Sequence, residues 1–369
     1  MGFEKVLIVK PSAFGDVVHA LPFLAALRRT HPKAHIGWVV ARSCAGLLEG
    51  HPDIDALYVF ERERWGGLRN LPRNLRELRA FARRLRAEKF DVAVDLQGLF
   101  RSAWLTRRTG APVRAGFRSA RELAWMFYNL RVRVDHANLH AVDRYLLVAG
   151  KLGLEIERPV RFNVHVSDEA RAFARETLAG LNGGGKPVIA LMPGSQWPSK
   201  RWPAEHFAAL ARRLAERGAC VVFLGGPGEE SLVERIRAME TGPAASLAGK
   251  TTIPQLAAML ERADVVVAGD SGPMHLAVAL GRPVVALFGP TSPERTGPYA
   301  DVAQPPSAGA ASSVSAQARA PVLHRPVVLR SAQACAPCFE PECEDARCMR
   351  DIGVERVFEA VSGILERHR

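Results

Sequence analysis

The 369-residue sequence has no apolar run approaching the roughly eighteen to twenty residues that cross a bilayer, so no transmembrane helix is expected. Its first stretch, MGFEKVLIVKPSAFGD, lacks the cleavage pattern of a secretory leader. It reads as a first β-strand and points to a cytoplasmic protein. No G-x-G-x-x-G follows that strand, which speaks against dinucleotide binding of the dehydrogenase kind. Cysteine is scarce, six in all, and in a reducing compartment disulfides are not expected. Cys44 and Cys220 stand alone and read as reduced core residues. No recognisable nucleic-acid module is present. The pI near 9.9 keeps salt-sensitive nucleic-acid binding open as an alternative, but the loops described below suit nucleotide phosphates better.

What is present is ordinary globular material, 48% hydrophobic and 24% charged, at a length that suits two domains. The net charge of +12 is unevenly spread. Residues 1–160 hold 27 basic against 16 acidic side chains, and the remainder holds 23 against 22. A basic first half beside a neutral second half suggests that only the first meets an anionic partner: phosphorylated lipid, anionic membrane or nucleic acid. A solubility bias in an arginine-rich chain is the plainer alternative.

Short apolar runs at 5–9, 35–40, 56–60, 91–95 and 112–117 alternate with helical patterns, and a second set follows at 187–192, 219–224, 264–268 and 283–288. Runs without polar alternation suit parallel strands buried on both faces, so an α/β doubly wound fold is expected. Three glycines and a proline at 183–187 predict the domain boundary. The expected layout is a Rossmann-like domain at 1–180, a second at 187–352 facing it across a cleft, and a closing amphipathic helix at 353–369. The Pro-, Ala- and Ser-rich segment 303–333 reads as a disordered insertion. The segment 68–90 carries leucines Leu71, Leu75, Leu78 and Leu85 among arginines. It fits a membrane-surface helix or a surface helix packed on its own domain.

Three loops could carry chemistry. In KPSAFGDVVHALP (10–22), Asp16 sits at a strand-to-helix turn. It could face a ligand, or merely complement the helix dipole. In MPGSQWPSKRWPAEHF (192–207), Ser195 lies in a phosphate-sized turn and Lys200 supplies a compact positive charge. Packing of Trp197 and Trp202 into the domain explains that loop equally well. In GDSGPMHL (269–276), Asp270, Ser271 and Gly272 end a strand and open a helix. The backbone amides there, with the Ser271 hydroxyl and His275, would seat a pyrophosphate. A further glycine-rich turn follows at Gly289–Thr291, and the loop at 225–230 places Glu229 where it could hold a ribose hydroxyl or simply begin a helix. Cys335, Cys338, Cys343 and Cys348 form C-x2-C-x4-C-x4-C, which would allow a structural zinc ion.

Taken in order, these loops resemble the lipopolysaccharide heptosyltransferases of glycosyltransferase family 9. The resemblance rests on K-P-S-A-F-G-D-V-V-H-A-L-P at 10–22, D-L-Q-G-L-F-R-S-A at 95–103, S-A-R-E at 119–122, F-Y-N at 127–129 and H-A-V-D-R at 140–144. It continues through K-R-W-P-A-E-H-F at 200–207, G-D-S-G-P-M-H-L at 269–276 and G-P-T-S-P at 289–293. It covers nearly the whole chain outside 303–333. It implies a two-domain GT-B type fold and inverting transfer with no cofactor required. The donor would be ADP-L-glycero-D-manno-heptose and the acceptor of the Kdo-lipid A type, met at the anionic inner face of the inner membrane. Under the resemblance Asp16 is the catalytic base. Ser195, Lys200, Glu229, Asp270, Ser271, Gly272 and His275 bind the donor. Arg121, His140 and Arg144 form a basic wall for the acceptor, with Arg62, Arg64, Gln97 and Arg101 as weaker matches. The first half looks most like heptosyltransferase I, while the cysteine segment followed by M-R-D-I is similar to heptosyltransferase II. The insertion at 303–333 departs from both.

Overall fold

A computed structural model describes residues 2–61, 71–136, 138–182, 185–239, 241–301 and 325–367. The chain divides into two compact units, Met1–His165 and Val166–Arg369. Each is built on a six-stranded sheet in which every neighbouring pair is parallel.

In the first unit the strands are β1 (Lys5–Val9), β2 (His35–Ala41), β3 (Ala56–Phe60), β4 (Val92–Asp95), β5 (Val113–Phe117) and β6 (Leu130–Val132), in the order β3-β2-β1-β4-β5-β6. The second unit repeats this path with β7 (Val188–Met192), β8 (Cys220–Phe223), β9 (Ala245–Ser246), β10 (Val265–Gly269), β11 (Val284–Phe288) and β12 (Val327–Arg330), in the order β12-β11-β10-β7-β8-β9. Both are doubly wound. The winding reverses between β1 and β4 in one sheet and between β7 and β10 in the other. At such a point the connections leave in opposite directions and open a crevice beyond the carboxyl ends of the strands.

The central strands are buried throughout because helices cover both faces. In the first unit Leu7, Val9, Val39, Phe90 and Ala93 share a core with Ala82 and Leu85 of the helix Leu71–Ala87. That arginine-rich helix packs Leu78, Phe81, Ala82 and Leu85 on its own domain, while Leu75 stays exposed. In the second unit Ile189, Leu191, Phe207, Phe223, Val265 and Val285 form the core, closed by Val357, Val361 and Ile364 of the helix Val354–Glu366.

Three features differ from the sequence-based expectation. The division falls at 165/166, ahead of the glycine-rich run. The helix Asp168–Asn182 goes with the second unit, where Arg171 grips Glu261 through two hydrogen bonds of 2.9 and 3.0 Å. The glycine-rich run then simply joins this helix to β7. Second, the segment expected to be disordered contains a strand: Val327–Arg330 pairs with β11, and Val327 and Leu329 pack against the core. Alternating apolar residues give it one covered face. Residues 303–324 lie outside the described residues. Third, β6, β9 and β12 were not anticipated.

Gly116 in β5 lies under the ring of Tyr128, and a Cβ there would stand 2.6 Å from the ring's Cζ. The ring cannot slide away, because its hydroxyl donates to buried Asp95 at 2.6 Å. Gly116→Ala is therefore expected to lower stability by about 1–3 kcal/mol, as overpacked cores do. Denaturant unfolding followed by circular dichroism measures this, and an unchanged midpoint would show that the ring has room to move.

Candidate active site

In the first unit the loop after β1 carries Lys10 and Asp16. Lys10 is 2% exposed, and its ammonium lies 3.5 Å from the half-open Asp16 carboxylate. Burial works against the charge on Lys10. Tyr145, Asp16 and Asp95 outweigh it and raise the Lys10 pKa above its ordinary value. Asp16 also accepts from the Ala13 amide at 3.3 Å, which ties the carboxylate to the first turn of the helix Phe14–His19. Asp16 thus sits at the helix start, and its carboxylate reaches solvent.

The loop after β4 meets this one from the neighbouring strand. Val9 and Asp95 are cross-strand partners, and the Gln97 side chain accepts from the Ser12 amide at 3.3 Å. Asp95 is fully buried. It accepts from Tyr128, Gln97 and Gly98, yet burial still raises its pKa. Arg121 donates its backbone amide to Gly98 at 3.1 Å, which anchors that loop on the β4 loop and leaves the guanidinium exposed. His140 caps the helix Ala141–Lys151 and packs edge-on to His19, with 5.0 Å between ring centroids. Arg144, one turn on, lies over the ring of Phe117. Asp16 and Arg144 stand in the first turns of the helices Phe14–His19 and Ala141–Lys151, His140 at the start of the latter, and Gln97 and Arg121 on loops, all in the first unit. Arg101 is exposed on the helix Phe100–Arg108. Arg62 and Arg64 lie outside the described residues. Lys10, Tyr145 and Asp95 were missed. The signal for Lys10 was its place as the first residue beyond an otherwise apolar strand.

In the second unit four loops converge at the carboxyl ends of β7, β8, β10 and β11. Asp270, 6% exposed, receives Lys200 at 2.8 Å and Thr296 at 3.1 Å, and His275 Nε2 lies 3.8 Å away. Desolvation raises its pKa, but His275 and Lys200 overcome that and hold it well below the carboxylate range. Lys200 also stacks on Trp197 at 4.3 Å. Ser195 is buried, with its hydroxyl 3.5 Å from the Asp270 carbonyl. The Glu229 carboxylate accepts from the Gly226 amide at 2.9 Å and lies across Gly194, where any Cβ would overlap it. It is thereby held at the ends of both β7 and β8. Ser271 caps the helix Gly272–Ala279, and its hydroxyl is buried with no partner among the described residues, as is that of Thr291 after β11. Two unsatisfied buried hydroxyls beside free helix-terminal amides suit an anionic ligand, because a lone buried hydroxyl is otherwise expensive. All seven donor-side residues expected from the sequence lie on these loops. Trp202 instead serves packing, its indole donating to the Ile352 carbonyl at 2.7 Å.

The cysteine segment supports these loops mechanically. Cys348 and Met349 fill the space left by Gly289, and the Ser199 hydroxyl donates to the Glu340 carbonyl at 2.6 Å. The possible zinc site in this segment gains no support. Among the described residues no three His, Cys, Asp or Glu side chains are placed to hold a metal ion. Cys335, Cys338 and Cys343 are exposed, whereas Cys348 is buried against the donor loop.

Comparison with known proteins agrees with this arrangement. The model of glycosyltransferase family 9 (heptosyltransferase) matches residues 78–346. Lipopolysaccharide heptosyltransferase 1 of Pseudomonas aeruginosa is 37% identical over 305 residues, covering 80% of this chain and 81% of that protein. The family 9 glycosyltransferase structure from Veillonella parvula superposes with a TM-score of 0.80 at 27% identity, over 99% of this chain and 98% of that one. The Escherichia coli heptosyltransferase WaaC with ADP superposes with a TM-score of 0.68 at 30% identity, over 82% and 93%.

The Lys200–Asp270 pair yields a prediction. Asp270 has a depressed folded pKa, so its stabilising effect is full above the ordinary value of 3.8 and fades as pH falls below it. Asp270→Asn, which strands Lys200, should cost about 3 kcal/mol near neutrality. The gap between variant and wild type should close as the medium is acidified past that value. Urea unfolding across a pH series measures both, and a gap that widened in acid would contradict the pairing.

Proposed function

The chain belongs to glycosyltransferase family 9, the heptosyltransferases, and from that premise we propose that it transfers heptose from ADP-L-glycero-D-manno-heptose to the Kdo-lipid A inner core with inversion, as heptosyltransferase I does. The observation that carries the reading is that one doubly wound unit holds an anion seat and the other a solvent-reaching carboxylate. An inverting transfer needs those two groups: a base for the acceptor hydroxyl and a stabilised leaving group.

Asp16 takes the proton as the acceptor oxygen attacks the anomeric carbon. Lys10 is a positioning residue that fixes the carboxylate by an ion pair from below. The transition state is oxocarbenium-like, and no covalent intermediate forms. On the donor side Glu229 holds the ribose, and Ser195, Ser271 and the amides opening the helix at Gly272 receive the diphosphate. Lys200 has three donor hydrogens, so it can keep Asp270 while meeting a phosphate oxygen. With His275 it balances the charge of departing ADP, which leaves no divalent cation required. Arg121, His140 and Arg144, with Gln97 and Arg101, meet the carboxylates and phosphates of the acceptor. A lipid-borne acceptor places the work at the anionic cytoplasmic face of the inner membrane, reached peripherally. No helix among the described residues is long and apolar enough to span it.

Two variants test the assignment. Asp16→Ala should lower kcat by about a hundredfold or more, the usual worth of a positioned base, while ADP binding stays intact. Full turnover would refute the role. Arg121→Ala should raise the acceptor KM roughly tenfold, since charge-assisted contacts are worth about 1.5–3 kcal/mol, and leave the donor KM alone. A raised donor KM by itself would count against it. Assaying a panel of sugar nucleotides against Kdo-lipid A and heptosyl-Kdo-lipid A separates heptosyltransferase I from II.

A further inference from the structure

The first unit carries an apolar patch left uncovered among the described residues. Phe100, Leu123, Trp125 and Met126 are 49%, 61%, 36% and 60% exposed. Three of them belong to the turn 123–127, and Phe100 joins them through edge-on contact with Phe127 at 5.4 Å. The patch stands on a firm base. Beneath it Ala103, Ala124 and Tyr128 form a small core of their own, and Arg114 donates to the Phe127 carbonyl at 3.1 Å. The turn is thus built to hold large apolar side chains outward.

Its surroundings are cationic. Arg118, Arg121 and Arg131 are exposed around it, and the Arg131 guanidinium stacks on Trp125 at 5.1 Å. The acidic group nearest in sequence, Glu122, is occupied by the Phe100 amide at 3.0 Å. Arg131 also lines an adjoining groove of about 740 Å³ whose wall includes Leu147 and Ile156, 41% and 36% exposed. Arg133, Lys151 and Arg158 line the same groove, with Asp143 as its one acidic group among the described residues.

We propose that this surface docks the protein on an anionic lipid bilayer, with Leu123, Trp125 and Met126 entering the headgroup–acyl boundary and Arg118 and Arg131 meeting lipid phosphates. Apolar tips ringed by arginine, with a tryptophan at the rim, match that boundary in both polarity and charge. A second copy of the chain matches it poorly. A symmetric contact here would set the same arginines against each other. The proposal rests on the lipid-borne acceptor above and names the surface that reaches it. The arginine-rich helix Leu71–Ala87 suits that role less, because Leu78, Phe81, Ala82 and Leu85 are turned onto its own core and only Leu75 is exposed among its described large apolar side chains.

The test is flotation of the full chain with neutral phosphatidylcholine vesicles and with vesicles also containing phosphatidylglycerol, for the wild type and for L123D/M126D. Wild type should float with the anionic vesicles and far less with the neutral ones. The double variant should lose at least about tenfold in partition, since it removes two apolar anchors. Its melting temperature should not change, nor its transfer rate to a deacylated, water-soluble acceptor. Undiminished flotation of the variant, or equal flotation on neutral vesicles, would overturn the proposal. So would a lipid-free wild-type dimer that the substitutions dissociate. Failure of the wild type to glycosylate the soluble acceptor would instead sink the transferase reading, while leaving the vesicle result standing.

Discussion

Asp270 brings a negative charge to a place where water covers almost none of it, and the donor unit is arranged around keeping that charge satisfied. Lys200 must return from the end of β7 to reach it, Thr296 must turn back from beyond β11, and His275 must stand one turn into the helix that follows. One carboxylate thereby fixes the relative positions of three loops from three strands. Without it those loops would keep their outer supports, such as Ser199 on Glu340, but lose the contact that draws all three together. Ion pairing inside a protein gives little net stability for its desolvation cost. What it supplies here is geometry.

The first unit solves a related problem differently. Its fourth strand in winding order, β4, also ends in a buried aspartate, and the loop after its first strand also carries a lysine. Yet Asp95 is satisfied by a tyrosine hydroxyl and two backbone amides, and Lys10 leans to Asp16 instead. The outcome is opposite. Burial pushes the Asp95 pKa up, whereas cations hold Asp270 down. Asp95 serves the scaffold through Tyr128 and the β4 loop, and Lys10 is left to orient a carboxylate that solvent can reach. The same winding thus yields a cation-held cradle in one unit and an open acid in the other.

How far this could be read from sequence follows from where each strand sits. Every strand flanked by two others was found within a residue or so, because burial on both faces writes an unbroken apolar run. The strands missed, β6, β9 and β12, each lie at a sheet edge and are three, two and four residues long. β12 reads V-V-L-R, an apolar run of only three residues behind a Pro-, Ala- and Ser-rich stretch, with half-buried and exposed positions alternating. The donor loops were legible because glycine, serine and proline at strand ends have few other uses. Lys10 and Asp95 were not, because a lone charge at the end of a strand carries no sign of what it will face. The domain division was misplaced for a related reason: a glycine run marks a break in secondary structure, and only packing partners reveal whether it is also a break between cores.

Net charge was the least specific signal of all, and the arginines show why. Arg28 is spent on Asp55 and on the carbonyls of Pro32, Ala34 and Asp53, and Arg114 on those of Ala111 and Phe127. Arg84 and Arg108 lie over aromatic rings. A planar guanidinium can lay its face on a ring while its edge donates hydrogen bonds. Much of the basic excess in the first half is therefore structural cement. A count of charges cannot tell those arginines from the few whose heads remain directed at solvent. Arg121, with its backbone pinned to Gly98 and its side chain exposed, belongs to the second kind. The distinction lies in which guanidinium donors are already taken, and that appears only when each partner has a place.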